Sequence, residues 1–301
     1  MLGFLPVDKP GGWTSHDVVA KVRTAARIKK VGHAGTLDPM ATGLLVVAIG
    51  PVTRLIRFAQ DAEKEYLATA VLGIATDSLD ADGDEVAREP MSVDRAALER
   101  VLPGFMGQIQ QVPPMVSALK VDGKRLYELA REGKEIERAA RTVVVHQLEL
   151  LDIRPGEFPE MDLRIVCSKG TYIRSLADDI AVALGGRAHL TALRRTRIGP
   201  IVVDHAVRPD GLTSDVIAQH IQDPLSGVPT LPRLIIEEDE AALVRNGRSL
   251  PRDGRLPIWE QHAARRPCED LEVAVVDEDL RLLAVYRCGP DEFTPEIVLP
   301  S

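Results

Sequence analysis

Six consecutive apolar residues, Leu44-Leu45-Val46-Val47-Ala48-Ile49, lie between Gly43 and Gly50 and predict a buried strand. Ahead of them, Thr14-Ser15-His16-Asp17 sets a hydroxyl three residues before an acid, the signature of a helix start. Val18, Val22 and Ala26 then recur at helical spacing, with Val19 broadening the face. Arg27, Lys29 and Lys30 suit the negative end of that helix. Alternation over 66–72 reads as a strand and 92–102 as a capped amphipathic helix. Further strands are expected at 108–112, 116–121, 143–153 and 163–167, with a short helix at 126–131. Ile173, Leu176, Ile180 and Leu184 share one helical face that Gly185-Gly186 ends, and 189–203 is strand-like again. Many strands with segregated helices imply an α+β fold on a mixed, largely antiparallel sheet. Pro224, Pro229 and Pro232 mark a linker, and short strands at 234–236, 271–276 and 282–286 follow it. The expected division is therefore 1–228 and a small β-rich unit at 229–301.

Composition narrows the class. With 45% hydrophobic and 27% charged residues in 301, the chain is an ordinary globular protein large enough to need no metal or disulfide staple. No signal peptide or membrane-length apolar stretch is visible, so a cytoplasmic protein is expected. The three cysteines are far apart, without metal-ligand spacing, and Cys167 falls on the apolar face of its strand as a buried thiol. Residues 77–85 form an acidic turn that lacks the glutamate a calcium loop requires, since position 12 is Arg88. Net charge is −8, which argues mildly against a nucleic-acid partner. Its distribution softens that: residues 1–60 carry +5 and 101–200 carry +3, while the acid lies in 61–100 and 201–301. Local potential at a contact face matters more than the total.

The chemistry concentrates in Gly32-His33-Ala34-Gly35-Thr36-Leu37-Asp38-Pro39-Met40-Ala41-Thr42-Gly43. Proline keeps Asp38 out of a helix, so the acid sits on a glycine-rich turn beside a core strand. Asp-Pro is also a common turn-former, and a phosphate-cradling loop is excluded because no Lys-Ser or Lys-Thr follows Gly35. The whole string resembles the catalytic motif of the TruB family of tRNA pseudouridine synthases. Five more segments resemble that family's motifs in order: Val7–Ser15, Lys64-Glu65-Tyr66, Pro113–Tyr127, Lys169–Leu176 and Leu193–Gly199. Ala34 departs from the threonine that members often carry.

The resemblance implies an isomerase that turns uridine 55 in the TΨC loop of tRNA into pseudouridine. It implies a pseudouridine synthase core with a PUA-like C-terminal domain. Asp38 would be the nucleophile, Tyr66 would contact the target as a candidate base, Arg174 would share the site, and His33 would fill the space left by a flipped-out base. Tyr172 and Leu193 would line the uracil pocket, with Lys9, Lys120, Arg195 and Arg197 among the residues holding RNA. Breaking the N1–C1′ bond and joining C5 to C1′ involves no redox change, so no cofactor is expected. A monomer working on the tRNA T-arm without guide RNA or membrane is expected. An ionised Asp38 needs an opposite charge nearby, and Arg174 is the candidate. Tyr172 and Arg174 would share a face only in extended backbone, so the helix is expected to begin after Arg174. Flipping a stacked uridine costs a few kcal/mol. Eleven aromatics in 301 residues suit an enzyme gripping one base better than a general single-strand binder. The alternative is an RNA-binding or tRNA-folding protein whose catalysis is dispensable. A glycosidic hydrolase is disfavoured because such chemistry pairs two carboxylates and the motif holds one.

Overall fold

A computed structural model describes residues 1–115, 120–121, 124–125, 136, 138–259, 264–265 and 269–300. The expected strand at 116–121, apart from its last two residues, and the expected helix at 126–131 fall outside the described residues.

Nine strands build the larger sheet. Its main path runs Gly3–Lys9, Thr42–Ile49, Ala188–Ile198, Lys64–Leu72, Glu160–Cys167, Arg141–Arg154 and Gly107–Gln111. Val31–His33 adds to Thr42–Ile49, and Ile201–Val202 to Ala188–Ile198. Every pairing is antiparallel except Thr42–Ile49 with Ala188–Ile198, where Thr42 faces Arg194 and Gly43 faces Arg195. The sheet is therefore mixed and largely antiparallel, as expected.

Burial explains the two strand patterns. Thr42–Ile49 reads as an unbroken apolar run because both of its faces are covered. Leu45, Val47 and Ile49 pack on Val18, Val19 and Val22 of the helix Ser15–Ala26, while Leu44, Val46 and Ala48 pack on the opposite side with Phe4, Val52 and Leu55. Lys64–Leu72 alternates because only one face is covered. Tyr66, Ala68, Ala70 and Leu72 point into a core with Leu176, Ala177 and Ile180 of the helix Ile173–Ala183, and Leu67 points out. The helix Ser15–Ala26 has the expected capping box: Thr14 Oγ1 accepts from Asp17 N–H, and Asp17 accepts from Thr14 N–H. The helix expected over 92–102 is shorter, Arg95–Val101, with Asp94 as its cap.

The C-terminal sheet has seven strands in the order Leu250–Pro251, Glu292–Val298, Leu282–Cys288, Glu272–Val276, Arg233–Ile235, Ile258–Trp259 and Ala264–Arg265. The helix Glu238–Arg245, which the sequence reading missed, covers one face. On the other face Ala274, Val276, Leu282 and Val285 join the core that contains Phe4, Leu44 and Val46. The proline-rich segment is packed rather than free. Val228 is buried, and a Cβ on Gly227 would stand 1.9 Å from the Phe4 ring.

Candidate active site

Asp38 sits on the loop between Val31–His33 and Thr42–Ile49. Three buried side chains hold that loop by its backbone. Ser15 Oγ accepts from Leu37 N–H at 2.9 Å and lies 3.2 Å from Leu37 O. Lys9 Nζ donates to Pro39 O (3.1 Å), Pro10 O (2.9 Å) and Trp13 O (2.6 Å). Arg195 donates to Leu44 O (2.8 Å), Gly35 O (3.1 Å) and Thr36 O (3.3 Å). Gly43 lets the parallel strand come close: its φ is +96°, and a Cβ there would meet Arg195 O at 2.3 Å. The acid's position is thus set by strand packing and by cations spent on carbonyls.

The facing wall is the start of the helix Ile173–Ala183. Tyr172 is extended (φ −96°, ψ 107°) and the helix begins at the next residue, so Arg174 lies in its first turn. The helix was expected to start after Arg174; it starts one residue before it. A guanidinium there is disfavoured by the helix dipole. Two carboxylates offset that cost: Arg174 Nε lies 3.1 Å from Asp38 Oδ2, and Nη1 lies 3.1 Å from Asp80 Oδ2 and donates to Ser78 O at 2.7 Å. The Arg174 side chain is 3% exposed and that of Asp38 35%, so the pair is open to solvent only at the acid.

Between these walls lies a cleft of about 720 Å³ lined by Asp38, Lys64, Tyr66, Tyr172, Arg174, Leu193 and Arg195, among others. Burial pushes the Asp38 carboxyl above the usual carboxylate range; Arg174 pulls it down and Asp80 adds to the rise. Burial lowers Lys64 to about 8, and its Nζ donates to Gln60 O and Ala62 O at 2.6 Å each. Burial also raises the Tyr66 phenol, so at neutral pH it carries its proton. The arrangement offers a carboxylate, a cation against it, a protonated phenol and an aromatic-aliphatic wall. Among the described residues, no group of three or more His, Cys, Asp or Glu side chains is placed to share a metal ion.

Comparison with known proteins gives this cleft a family. Residues 23–173 match the model for the TruB family pseudouridylate synthase N-terminal domain, and residues 174–236 match the tRNA pseudouridylate synthase B C-terminal domain. The chain belongs to the TruB family of pseudouridylate synthases. A tRNA pseudouridine synthase B of Thermobifida fusca (strain YX) is 45% identical over 84% of this chain and 87% of its own length. One from Burkholderia pseudomallei (strain 668) is 41% identical over 98% of this chain and 95% of its own. Among solved structures, a chain of a Cbf5-Nop10-Gar1 complex superposes with a TM-score of 0.74 at 27% identity, covering 99% of this chain and 85% of that one. A chain of an H/ACA RNP bound to a substrate RNA containing 2′-deoxyuridine gives 0.73 at 25% identity, with the same coverage.

The structure brings most of the expected TruB-type site residues together and redistributes others. Asp38, Tyr66, Tyr172, Arg174 and Leu193 all line the cleft. Arg195 lines it too, but buried and bound to carbonyls; it was expected to hold RNA and instead holds the Asp38 loop. Lys9 undergoes the same correction: it is fully buried, and its ammonium is used up on three carbonyls. Arg197 stands two residues after Arg195, the spacing that would put both on one face of a regular strand. A bulge between the two shifts the pairing, so Arg197 turns away, near Glu65 (3.8 Å) and Gly199 O (3.2 Å). His33 is not among the cleft-lining residues. It meets His16 edge to face at 5.7 Å, and burial holds its imidazole below the ordinary histidine value. Lys120 pairs through its backbone with Arg125; its side chain lies outside the described residues. Cys167 is a free, buried thiol that burial pushes up to about 11. Asp80 was missed. It lies in the acidic turn 77–85, whose composition gives no sign that Asp80, alone among its acids, is buried against Arg174.

Proposed function

We propose that this TruB-family chain isomerises uridine 55 in the TΨC loop of tRNA to pseudouridine, with Asp38 as the nucleophile. The observation that carries the reading is the buried Arg174 guanidinium 3.1 Å from a carboxylate that faces a cleft large enough for one nucleotide. The N1–C1′ bond breaks, the uracil turns, C5 joins C1′, and C5 gives up its proton while N1, freed from the ribose, takes one up, so atoms and charge balance without a second reactant. Asp38 supplies the covalent attachment while the base is detached. Arg174 keeps that acid charged in a site whose burial disfavours the charge. Tyr172 and Leu193 hold the planar ring, and His33 at the loop's start occupies the stack the nucleotide has left. Tyr66, held protonated, acts as a hydrogen-bond donor and packing surface rather than as a base at neutral pH. Residues 1–228 form the catalytic unit in this reading and 229–301 a PUA-like module.

The test is incubation of the purified chain with unmodified tRNA, then pseudouridine mapping by carbodiimide and primer extension. A single stop at position 55 supports the reading, as does conversion of a bare T-arm hairpin with no other RNA present. Modification that needs an added RNA would replace a stand-alone enzyme with a guided one. Release of free uracil would indicate hydrolysis instead.

A further inference from the structure

Nothing in the sequence of the helix Ile173–Ala183 caps its beginning: the residue before it is Tyr172, which makes no side-chain cap bond. The group that meets Tyr172 comes from another strand. Gln111, at the end of Gly107–Gln111, is 2% exposed and spends its whole amide on this one residue. Its Oε1 accepts from Tyr172 N–H at 2.7 Å, and its Nε2 donates to Tyr172 O at 3.0 Å. One side chain thus imitates a strand neighbour, supplying an acceptor and a donor to the same residue. Beside it, Ser175 Oγ donates to Val112 O at 3.2 Å, so two consecutive residues grip the helix start.

We infer that Gln111 is a positioning residue for the pseudouridine-forming step, holding Tyr172 extended so that Tyr172 and Arg174 both face Asp38. The inference rests on the function proposed above. Each residue recruited into a helix turns the side-chain direction by about 100°. If Tyr172 joined the helix, its ring would swing away from the Asp38 side, and Arg174 would turn with the altered first turn. The clamp resists this by holding both polar backbone groups of Tyr172 from one side, sharing the carbonyl with Leu176 N–H, which donates to it at 3.0 Å as the first bond of the helix. Gln111 is absent from the cleft lining, so its effect passes through Tyr172.

The test uses the full chain with Gln111→Ala and Gln111→Glu, measuring single-turnover rate at saturating tRNA, tRNA affinity, and melting. Gln111→Ala should lower the rate at saturation about tenfold to a hundredfold, the penalty for roughly an ångström of misplacement, with affinity changed less than about threefold. In a Tyr172→Ala background the same change should cost clearly less than in wild type, because only the share that passes through Arg174 remains. Gln111→Glu keeps the acceptor but meets Tyr172 O with an oxygen, which can donate only when protonated. Its rate relative to wild type should therefore recover as pH falls, which a simple loss of packing would not do. A saturating rate equal to wild type in Gln111→Ala overturns the inference. So do a weakened affinity at unchanged rate, full additivity with Tyr172→Ala, a pH-independent Gln111→Glu ratio, or variants that do not fold. Wild-type chain that forms no pseudouridine would fail the proposed function itself, before any Gln111 variant is compared.

Discussion

The larger sheet buries charge, and among the described residues the C-terminal sheet does not. Lys9, Lys64, Asp80, Arg174, Asp178 and Arg195 are all buried within residues 1–202, whereas among the described residues of 233–298 the interior holds Val273, Val275, Ala284, Phe293 and the like. The one buried hydroxyl-bearing ring there, Tyr286, donates to Arg248 O at 2.7 Å. Taking a charge out of water costs several kcal/mol per ion unless it is paired or hydrogen-bonded throughout. A fold that accepts this cost in one region and avoids it in another has separated two tasks. Around the cleft, charges are fixed where chemistry needs them. In the C-terminal sheet, apolar area does the work and the ion pairs stay at the rim.

Asp38→Asn is the sharpest way to break that contrast. On the proposed role of Asp38 as nucleophile, the substitution should lower pseudouridine formation on the order of 10⁴-fold or more, with tRNA binding intact. Stability should not suffer. The Asp38 carboxyl is raised in the fold, so its favourable contribution exists below the unfolded value and is lost as pH rises through the folded one. At pH 8 the charged form is a liability, and the variant should melt at or above the wild-type temperature while Asp80 still holds Arg174. A variant that both unfolds and loses tRNA would make Asp38 structural.

Arg174 should behave in the opposite way. Arg174→Leu leaves Asp38 and Asp80 facing each other without a cation and should cost about 3–5 kcal/mol by denaturant unfolding. Arg174→Lys keeps the charge but cannot reach two carboxylates and Ser78 O at once. It should remain folded and lose about a hundredfold in rate. Leu282→Ala, in the apolar core shared by the two sheets, should cost about 2–5 kcal/mol and leave the rate per folded molecule unchanged. A rate loss there would mean that the C-terminal sheet helps set the cleft.

Much of this was legible in the residues because apolar pattern and covered faces correspond. The run 44–49 gave a strand, the 18–22–26 spacing gave a helix, and Asp38-Pro39 gave a loop acid, each for a reason local to the chain. What stayed hidden depends on contacts distant in sequence. Nothing near Lys9 says that its ammonium will meet three carbonyls, one of them thirty residues away. Arg195 and Arg197 alternate in the sequence, and only the bulge against Lys64–Leu72 separates them. Asp80 stands among acidic neighbours, and the cation it is buried against, Arg174, comes from a helix 94 positions later. The start of the helix Ile173–Ala183 was misplaced by two residues, and the side chain that holds the residue before it, Gln111, lies on another strand.

A smaller effect would sharpen the electrostatics of the cleft. If the reaction needs ionised Asp38, kcat/KM should rise with pH through a limb above the ordinary carboxylate range, because burial outweighs Arg174. Asp80 pushes that limb upward, so Asp80→Asn should move it to lower pH even as it lowers the plateau by loosening Arg174. A pH–rate profile of both proteins decides this. A limb that stays in place would mean that another group governs it.

The smallest expected effect concerns what joins the two sheets. Arg57 pairs with Glu272 and lies 3.9 Å from Glu296, linking the helix Ile56–Asp61 to the C-terminal strands. The Arg57 side chain is 51% exposed, and exposed pairs contribute about 0–1 kcal/mol. Beneath it, Phe4, Leu44, Val46, Ala274, Val276 and Val285 form one continuous core. Arg57→Ala should therefore shift the unfolding midpoint by less than about 1 kcal/mol, and less still in high salt, with one cooperative transition retained. Two separate transitions in Arg57→Ala would show that the ion pair, not the apolar core, couples the sheets, and the division of tasks between charge and apolar area would fail at the boundary where it is easiest to measure.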